Sequence, residues 1–265
     1  MTPRLRPAAV AGTFYPDSPE RLRREIAAML ASVAEQAEDC PKALIVPHAG
    51  YVYSGPVAAS AFALLAGRKN SIRRVVLLGP THRVAVRGLA LPDCDAFATP
   101  LGNVPVDAPT ADAIRKMPQV AVSAPAHQLE HSLEVEIPFL QHVLGEFSLL
   151  SLAVGDASPD AVAEVLDRVW GGPETLIVAS SDLSHYLPYE DARRCDAETA
   201  RRIGDLDPTI DHRQACGATP VNGLLLTARK RGLRVRQLDL RNSGDTAGDH
   251  RRVVGYAAFA FFEAA

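Results

Sequence analysis

Short apolar runs alternate along the chain with amphipathic patterns of helical period. The runs are rich in Val, Ile and Leu on successive positions, which is typical of strands buried on both faces. They cover residues 43–46, 74–78, 149–154 and 175–179. Helical patterns follow most of them, at residues 57–66, 132–144, 159–169 and 189–203. This alternation predicts βαβ units and a sheet that is largely parallel.

Further elements flank this repeating part. An amphipathic helix is predicted over residues 19–37, and Thr219-Pro220 predicts the start of a last helix that stops at Gly232. Two closing strands are predicted at residues 233–240 and 252–262. No flexible linker and no internal repeat divides this order. We therefore expect one domain over residues 1–265, with an α/β fold built as a three-layer sandwich around a mixed, largely parallel central sheet.

Composition limits the classes of partner. Of the 265 residues, 47% are hydrophobic and 22% are charged, and 28 Lys and Arg against 31 Asp and Glu give a net charge of −3. With no basic face to follow a phosphate backbone, no nucleic-acid partner is expected. No apolar stretch approaches the roughly 20 residues that span a bilayer, and prolines interrupt the first residues before a signal peptide develops. We expect a cytoplasmic protein with no membrane partner, whose four cysteines are free thiols.

Three histidines come shortly after the carboxyl ends of predicted strands. They are His48, His82 and His185. Any one of them could be a loop histidine that only bonds a backbone carbonyl. In open α/β sheets, however, ligands bind at the carboxyl edge of the strands, so residues distant in sequence converge there. Three histidines in the same topological position predict a functional site at this edge.

Cys216 is the candidate for a third metal ligand beside two of these histidines. It lies three residues before Thr219, close to the predicted helix start, where the helix dipole would favour a thiolate. The alternative is a buried thiol that packs as a small hydrophobic group. Asp182 lies three residues before His185 and could orient its imidazole for acid–base catalysis, or could only cap the next segment.

The segment His127-Gln-Leu-Glu130-His131 matches the H-x-x-E-H pattern of inverted zinc metallopeptidases. That chemistry needs residues 127–131 on one helix, so that both histidines share a face. A helix beginning near Glu130 or Ser132 would break this geometry, and a five-residue pattern with two free positions also arises by chance. A zinc peptidase is therefore the weaker hypothesis.

Seven motifs are distinctive enough for comparison with known families. They are RPAAVAGTFYP near the start, PHAGYVYSG at 47–55, GPTH at 79–82, EHSLEVEIPFLQ at 130–141, SSDLSHY at 180–186, ACG at 215–217 and NSGDTAGDHRRVVGYAAFAF at 242–261. Together they closely resemble the Memo family, that of the eukaryotic mediator of cell motility and of the prokaryotic AmmeMemoRadiSam system protein B. The resemblance spans essentially the whole chain.

The resemblance implies a fold like that of class III extradiol dioxygenases, which open catechol rings with non-haem Fe(II). The metal ligands that it implies are His48, His82 and Cys216. The catalytic residues that it implies are His185 as acid or base, Asp182 beside it, and His131 in contact with oxygen or substrate. Tyr53 would line the same pocket, and Glu130 would stand behind the metal ligands.

One departure from the dioxygenases leaves the activity open. They bind Fe(II) through two histidines and a carboxylate, whereas the third position here is a thiolate, which also accommodates Cu or Zn. The favoured hypothesis is an Fe(II)-dependent oxidoreductase acting on a small molecule. The alternative is a non-catalytic protein that binds a metal or a peptide and acts with AMMECR-type and radical-SAM partners. A third hypothesis is a cysteine hydrolase with Cys216 as nucleophile, His185 as base and Asp182 orienting it.

Overall fold

A computed structural model of the protein describes residues 3–34, 40–69 and 71–263. The strands in these ranges are β1 Leu5–Arg6, β2 Ala43–Val46, β3 Arg74–Pro80, β4 Leu89–Leu91, β5 Ala96–Thr99, β6 Gly102–Pro105, β7 Val120–Val122, β8 Ser148–Val154, β9 Thr175–Ser180, β10 His185–Leu187, β11 Arg234–Asn242 and β12 Val253–Phe262. The α-helices are α1 Pro19–Ala31, α2 Tyr51–Phe62, α3 Ala108–Ile114, α4 Ala124–Gln128, α5 Ile137–Leu144, α6 Pro159–Val169, α7 Tyr189–Gly204, α8 Ala218–Arg231 and α9 Ser243–Thr246. Short 3-10 turns cover Ala63–Leu65 and Glu134–Glu136.

The central sheet is mixed, with a parallel middle. Strands run in the order β10-β12-β2-β9-β3-β8-β4-β7, and β11 also pairs with β12. The four middle strands β2, β9, β3 and β8 are mutually parallel, while β12 and β4 run antiparallel to their neighbours in this group. A smaller sheet has the order β1-β5-β6. The predicted fold class is thus confirmed, and the carboxyl ends of four parallel strands meet at one edge.

Helices cover both faces of this sheet. In β2, Leu44 and Val46 join a core that includes residues of α1, α2 and α5. Ala43 and Ile45 point into the opposite core, which includes residues of α3, α6, α7 and α8. Successive apolar residues were expected for such strands, because each face needs its own apolar partner. The result is the predicted three-layer sandwich.

The predicted helix boundaries agree best with the structure where the capping residue is clear in the sequence. Helix α6 spans the predicted residues 159–169, and its start is capped by the Ser158 side chain. The helix expected at 57–66 begins earlier, at Tyr51, and contains Pro56. The helix expected at 19–37 ends at Ala31; its predicted last residue, Ala37, lies outside the described residues.

The prediction of a helix over residues 132–144 was wrong about where the helix begins. A 3-10 turn occupies Glu134–Glu136, and α5 begins only at Ile137. Pro138 lies in the first turn of α5, where its missing N–H costs no helical hydrogen bond. Within the described residues, no helix has the length and apolar character required to cross a membrane.

Candidate metal centre

The carboxyl ends of the parallel strands place two of the predicted histidines side by side. His48 follows β2 and His82 follows β3, and each is the second residue after the end of its strand. His131 reaches the same place from the loop between α4 and the 3-10 turn. Ser132 fixes this loop to β3, because its hydroxyl donates to the Pro80 carbonyl over 2.8 Å. The approach is close enough that a Cβ on Gly79 would lie 2.7 Å from the Ser132 Oγ atom.

His48, His82 and His131 form a compact group of imidazoles. One ring nitrogen from each lies within 4.8 Å of the other two, which is a spacing that could hold a metal ion. The ring centroids of His82 and His131 are 4.5 Å apart, and that of His48 is 5.2 and 5.4 Å from them. Three imidazoles are a common ligand set for transition metals.

Burial keeps two of these imidazoles neutral at physiological pH. His48 is fully buried, and its pKa lies well below the ordinary value because of desolvation and the neighbouring histidines. Burial, together with His82, lowers the pKa of His131 to about 4. A metal ligand must be the neutral imidazole, so no proton competes for these two rings near pH 7.

Glu130 holds His82 from behind. Its carboxylate accepts hydrogen bonds from the His82 main-chain N–H at 2.6 Å and from the His82 Nδ1 atom at 2.8 Å. The main-chain N–H groups of His131 and Ser132 donate to the same carboxylate, each over 3.0 Å. Burial alone would raise the pKa of Glu130, but these bonds lower it to about 2. Since Nδ1 is engaged, Nε2 of His82 is free for a ligand, as in carboxylate–histidine–metal arrangements.

Cys216 also reaches this group, through contact with His48. Its Sγ atom lies 3.3 Å from His48 Nε2, 3.7 Å from the Asp182 carbonyl oxygen and 3.9 Å from Ser181 Oγ. The residue precedes α8, whose start packs so tightly on β9 that a Cβ on Gly217 would lie 2.6 Å from Ser181 Cβ. Cys216 is not among the three residues whose donor atoms are mutually close. The implied His48, His82 and Cys216 ligand set stays a prediction.

The expectation that a helix start makes Cys216 a thiolate was wrong for the metal-free protein. Burial raises the pKa of the Cys216 thiol to about 12, and the nearby Asp182 charge raises it further. Hydrogen bonds that would favour the thiolate, including one from the Gly217 N–H, do not offset this. A thiol in this state is a poor nucleophile, which argues against the cysteine hydrolase.

Asp182 does not orient His185. Its Oδ1 atom accepts from the His48 main-chain N–H over 2.8 Å, and burial raises its pKa to about 7. The Nδ1 atom of His185 instead lies 2.8 Å from the Leu183 carbonyl oxygen. The predicted Asp182–His185 pair fails because the carboxylate points back to the start of the β2–α2 connection. Asp182 therefore holds the main chain of His48 in place.

An open cavity of about 680 Å³ adjoins the imidazole group through His131. His131, Asp182 and His185 line it, and Tyr53 lies at its wall with its side chain partly exposed. The structure thus brings together all seven residues predicted for the site. Three form the imidazole group, Cys216 contacts one of them, and the remaining three line the cavity. The cavity could admit a small molecule to the open side of the group.

His127 lies outside this site. Helix α4 ends at Gln128, so His127 and His131 do not share a helical face. The Nε2 atom of His127 bonds the Ala90 carbonyl oxygen at 2.9 Å, and its ring packs against Phe97. The zinc peptidase hypothesis is contradicted by this geometry, because its two histidine ligands would have to converge.

The donor set fits a transition-metal ion. Soft and borderline ions such as Fe(II), Cu and Zn bind imidazole and thiolate, whereas hard ions prefer oxygen ligands. The two nearby carboxylates, Glu130 and Asp182, are engaged with main-chain and imidazole N–H groups. The group therefore differs from the two-histidine, one-carboxylate site of the ring-cleaving dioxygenases.

Sequence comparisons identify relatives that match nearly the full length of the chain. A family model described as Memo-like protein matches residues 6–260. Proteins named MEMO1 family protein are 39% identical in Methanococcoides burtonii, with 96% of this chain and 98% of that protein covered, and 35% identical in Aquifex aeolicus, with 97% and 99% covered. A solved structure of an uncharacterized protein from Escherichia coli K12 aligns at 13% identity with a TM-score of 0.45, covering 69% of this chain and 85% of that one.

Proposed function

The chain belongs to the Memo family, and from this premise we propose that it binds one Fe(II) ion at His48, His82 and His131 and uses it for redox chemistry on a small molecule. The observation that supports this most is the group of three imidazoles with mutually close nitrogens. The Nδ1 atoms of His48 and His82 are hydrogen-bonded to Ser180 and Glu130, as the outer nitrogens of metal-binding histidines usually are, and the main-chain N–H of His131 is held by Glu130. Cu or Zn would suit the same donors.

Cys216 is proposed to join the ligands as a thiolate once the ion is present. Its Sγ atom touches the His48 Nε2 atom at 3.3 Å, so an ion bound to that nitrogen would lie beside the sulfur. A metal ion commonly displaces the proton of a coordinating thiol. A bound ion would supply redox and Lewis-acid chemistry at the wall of the open cavity.

His185 is proposed to move the proton. Since the Leu183 carbonyl can only accept, the His185 Nδ1 atom carries the hydrogen, and Nε2 keeps its lone pair. Burial lowers the pKa of His185, so the ring is neutral at pH 7 and can accept a proton from a substrate in the cavity. Tyr53 contributes an aromatic wall to the same space.

Oxygen consumption tests the redox proposal. Protein loaded anaerobically with Fe(II) is expected to consume O2 in the presence of a substrate from a screen of small phenols and thiols. His185→Ala should retain the iron but lose about 10²–10⁴-fold in turnover, the usual contribution of a general acid–base group. His142→Ala, which removes an exposed histidine of α5, is the matched control. Bound iron without O2 consumption would instead favour the binding role with AMMECR-type or radical-SAM partners.

Proton release tests the role of Cys216. Because burial raises the pKa of its thiol to about 12, the metal-free protein carries the proton throughout pH 6–8. Binding as a thiolate expels that proton, so metal affinity should rise with pH. The rise should be about tenfold per pH unit steeper in wild type than in Cys216→Ser. Calorimetric titration with Zn(II) at several pH values measures this difference, and equal slopes would exclude Cys216 as a ligand.

A further inference from the structure

Behind His48, a buried serine and a buried glutamate form a chain of hydrogen bonds. The Nδ1 atom of His48 lies 2.7 Å from Ser180 Oγ, and Ser180 donates to Glu136 Oε1 over 2.9 Å. His48, Ser180 and Glu136 are each at most 1% exposed. Ser180 ends β9, directly beside Val46 at the end of β2, and Glu136 ends the 3-10 turn. Three separate segments therefore meet behind the imidazole group.

The direction of these bonds fixes the state of the His48 ring. Burial raises the pKa of Glu136 well above its ordinary value, and its Oε1 atom accepts from Ser180 as a carbonyl oxygen, so the one hydrogen of the serine hydroxyl is directed to Glu136. Ser180 Oγ must then accept from His48, so Nδ1 carries the ring hydrogen. The Nε2 atom keeps its lone pair and faces the site, where it lies 3.3 Å from the Cys216 Sγ atom. This is the tautomer that a metal ion at Nε2 requires.

Glu136 has no evident structural reason to be a carboxyl group. Among the residues that the structure describes, its Oε2 atom has no hydrogen-bond partner. Tyr51, which packs nearby, donates its hydroxyl hydrogen to the Val135 carbonyl instead. Burying a polar atom without a partner costs free energy that an apolar side chain would avoid. The contact that Glu136 does make leads to His48.

We propose that Glu136 is a positioning residue that acts through Ser180 to set the tautomer and orientation of His48, so that its Nε2 lone pair faces the imidazole group. The proposal rests on the metal-binding function proposed above, because the tautomer of His48 serves a function only if a metal ion binds its Nε2 atom. The ring state itself, however, is a property of the metal-free protein. It can therefore be tested whether or not a metal binds.

The test is ¹⁵N NMR of metal-free protein labelled at the histidine rings, with the His48 signals identified by their loss in His48→Gln. Wild type and Glu136→Gln should show the tautomer with hydrogen on Nδ1, because the Gln amide oxygen still accepts from Ser180. Ser180→Ala and Glu136→Met should shift His48 towards the tautomer with hydrogen on Nε2. Ser151→Ala removes a buried hydroxyl that has no hydrogen-bond partner in the described residues, so its spectrum should match wild type.

Titration with Co(II) adds a functional readout on the same variants. Ser180→Ala should bind about 10–100-fold more weakly, as expected for loss of an outer partner of a metal-binding histidine, whereas Glu136→Gln should remain within a few-fold of wild type. The visible spectrum of bound Co(II) should change in Ser180→Ala. Circular dichroism checks that each variant is folded; if Glu136→Met is not, Glu136→Ala removes the same acceptor and takes its place.

The two claims fail in different ways. A wild-type ring with hydrogen on Nε2, or a tautomer unchanged by Glu136→Met, overturns the positioning role of Glu136; a tautomer unchanged by Ser180→Ala overturns the route through Ser180. A shift of tautomer as expected, in a wild-type protein that binds no Co(II), upholds the positioning role and removes the proposed metal function.

Discussion

Replacement of His82 by alanine is expected to abolish tight metal binding. The loss should exceed the roughly 10–100-fold that removal of an outer partner costs, because a ligand atom itself disappears. His82 is the most accessible of the three imidazoles, with a side chain 29% exposed, so its truncation leaves the core largely intact. Competition with a chelator of known Co(II) affinity measures the change.

The control for this variant is His142→Ala on α5, which removes a histidine away from the site. It should bind Co(II) as wild type does. If His82→Ala binds Co(II) with an affinity within about threefold of wild type, the metal site does not include His82. Circular dichroism of the metal-free variant separates loss of the ligand from loss of the fold.

Replacement of Arg6 by alanine is expected to cost about 3–5 kcal/mol of stability, since it leaves a buried carboxylate without its cation. Arg6 pairs with Glu134, and both side chains are at most 5% exposed. Glu134 also accepts from the Ala9 N–H at 2.8 Å, the Val10 N–H at 3.0 Å and the Tyr15 hydroxyl at 2.5 Å. This carboxylate therefore ties the N-terminal segment to the loop that carries His131.

The same substitution should weaken metal binding, because Arg6 also donates to the Glu130 carbonyl over 2.6 Å. Chemical denaturation of metal-free protein measures stability, and Co(II) titration measures the site. Arg21→Ala breaks an exposed pair with Glu25 on α1 and should cost less than about 1 kcal/mol. If Arg6→Ala is as stable as Arg21→Ala, the buried pair does not anchor the segment.

The fold was largely predictable because its central strands are buried on both faces. Continuous apolar runs marked β2, β3, β8 and β9, and their order with helices implied parallel pairing. The shorter strands, such as β4 and β7 with three residues each, escaped prediction. Runs of that length carry too little periodicity to be distinguished from loops.

Chain topology alone could predict the site only where a strand delivers a residue to the sheet edge. His48 and His82 follow strands directly, so topology alone brings them together. The Glu136–Ser180 bond joins residues 44 positions apart, and no local pattern marks such a contact. The state of Cys216 was misjudged because the sequence shows that a helix starts nearby but not how deeply the thiol is buried.

His131 shows how one motif can support two interpretations. The H-x-x-E-H pattern suggested two histidines on one helix, but α4 ends before His131 and leaves only that histidine at the site. Glu130, the acid of the pattern, bonds His82 from a different strand connection. The position at which this five-residue helix ends decides between the two interpretations. Helix ends are the part of a helix that a sequence predicts least reliably.

X-ray absorption at the iron edge tests the central claim most directly. Wild-type protein is loaded anaerobically with Fe(II), and unbound iron is then removed. The proposed site predicts about one iron per chain, scattering from several imidazole rings and one sulfur neighbour. Protein that retains no iron, or iron without imidazole scattering, would contradict a metal centre at His48, His82 and His131.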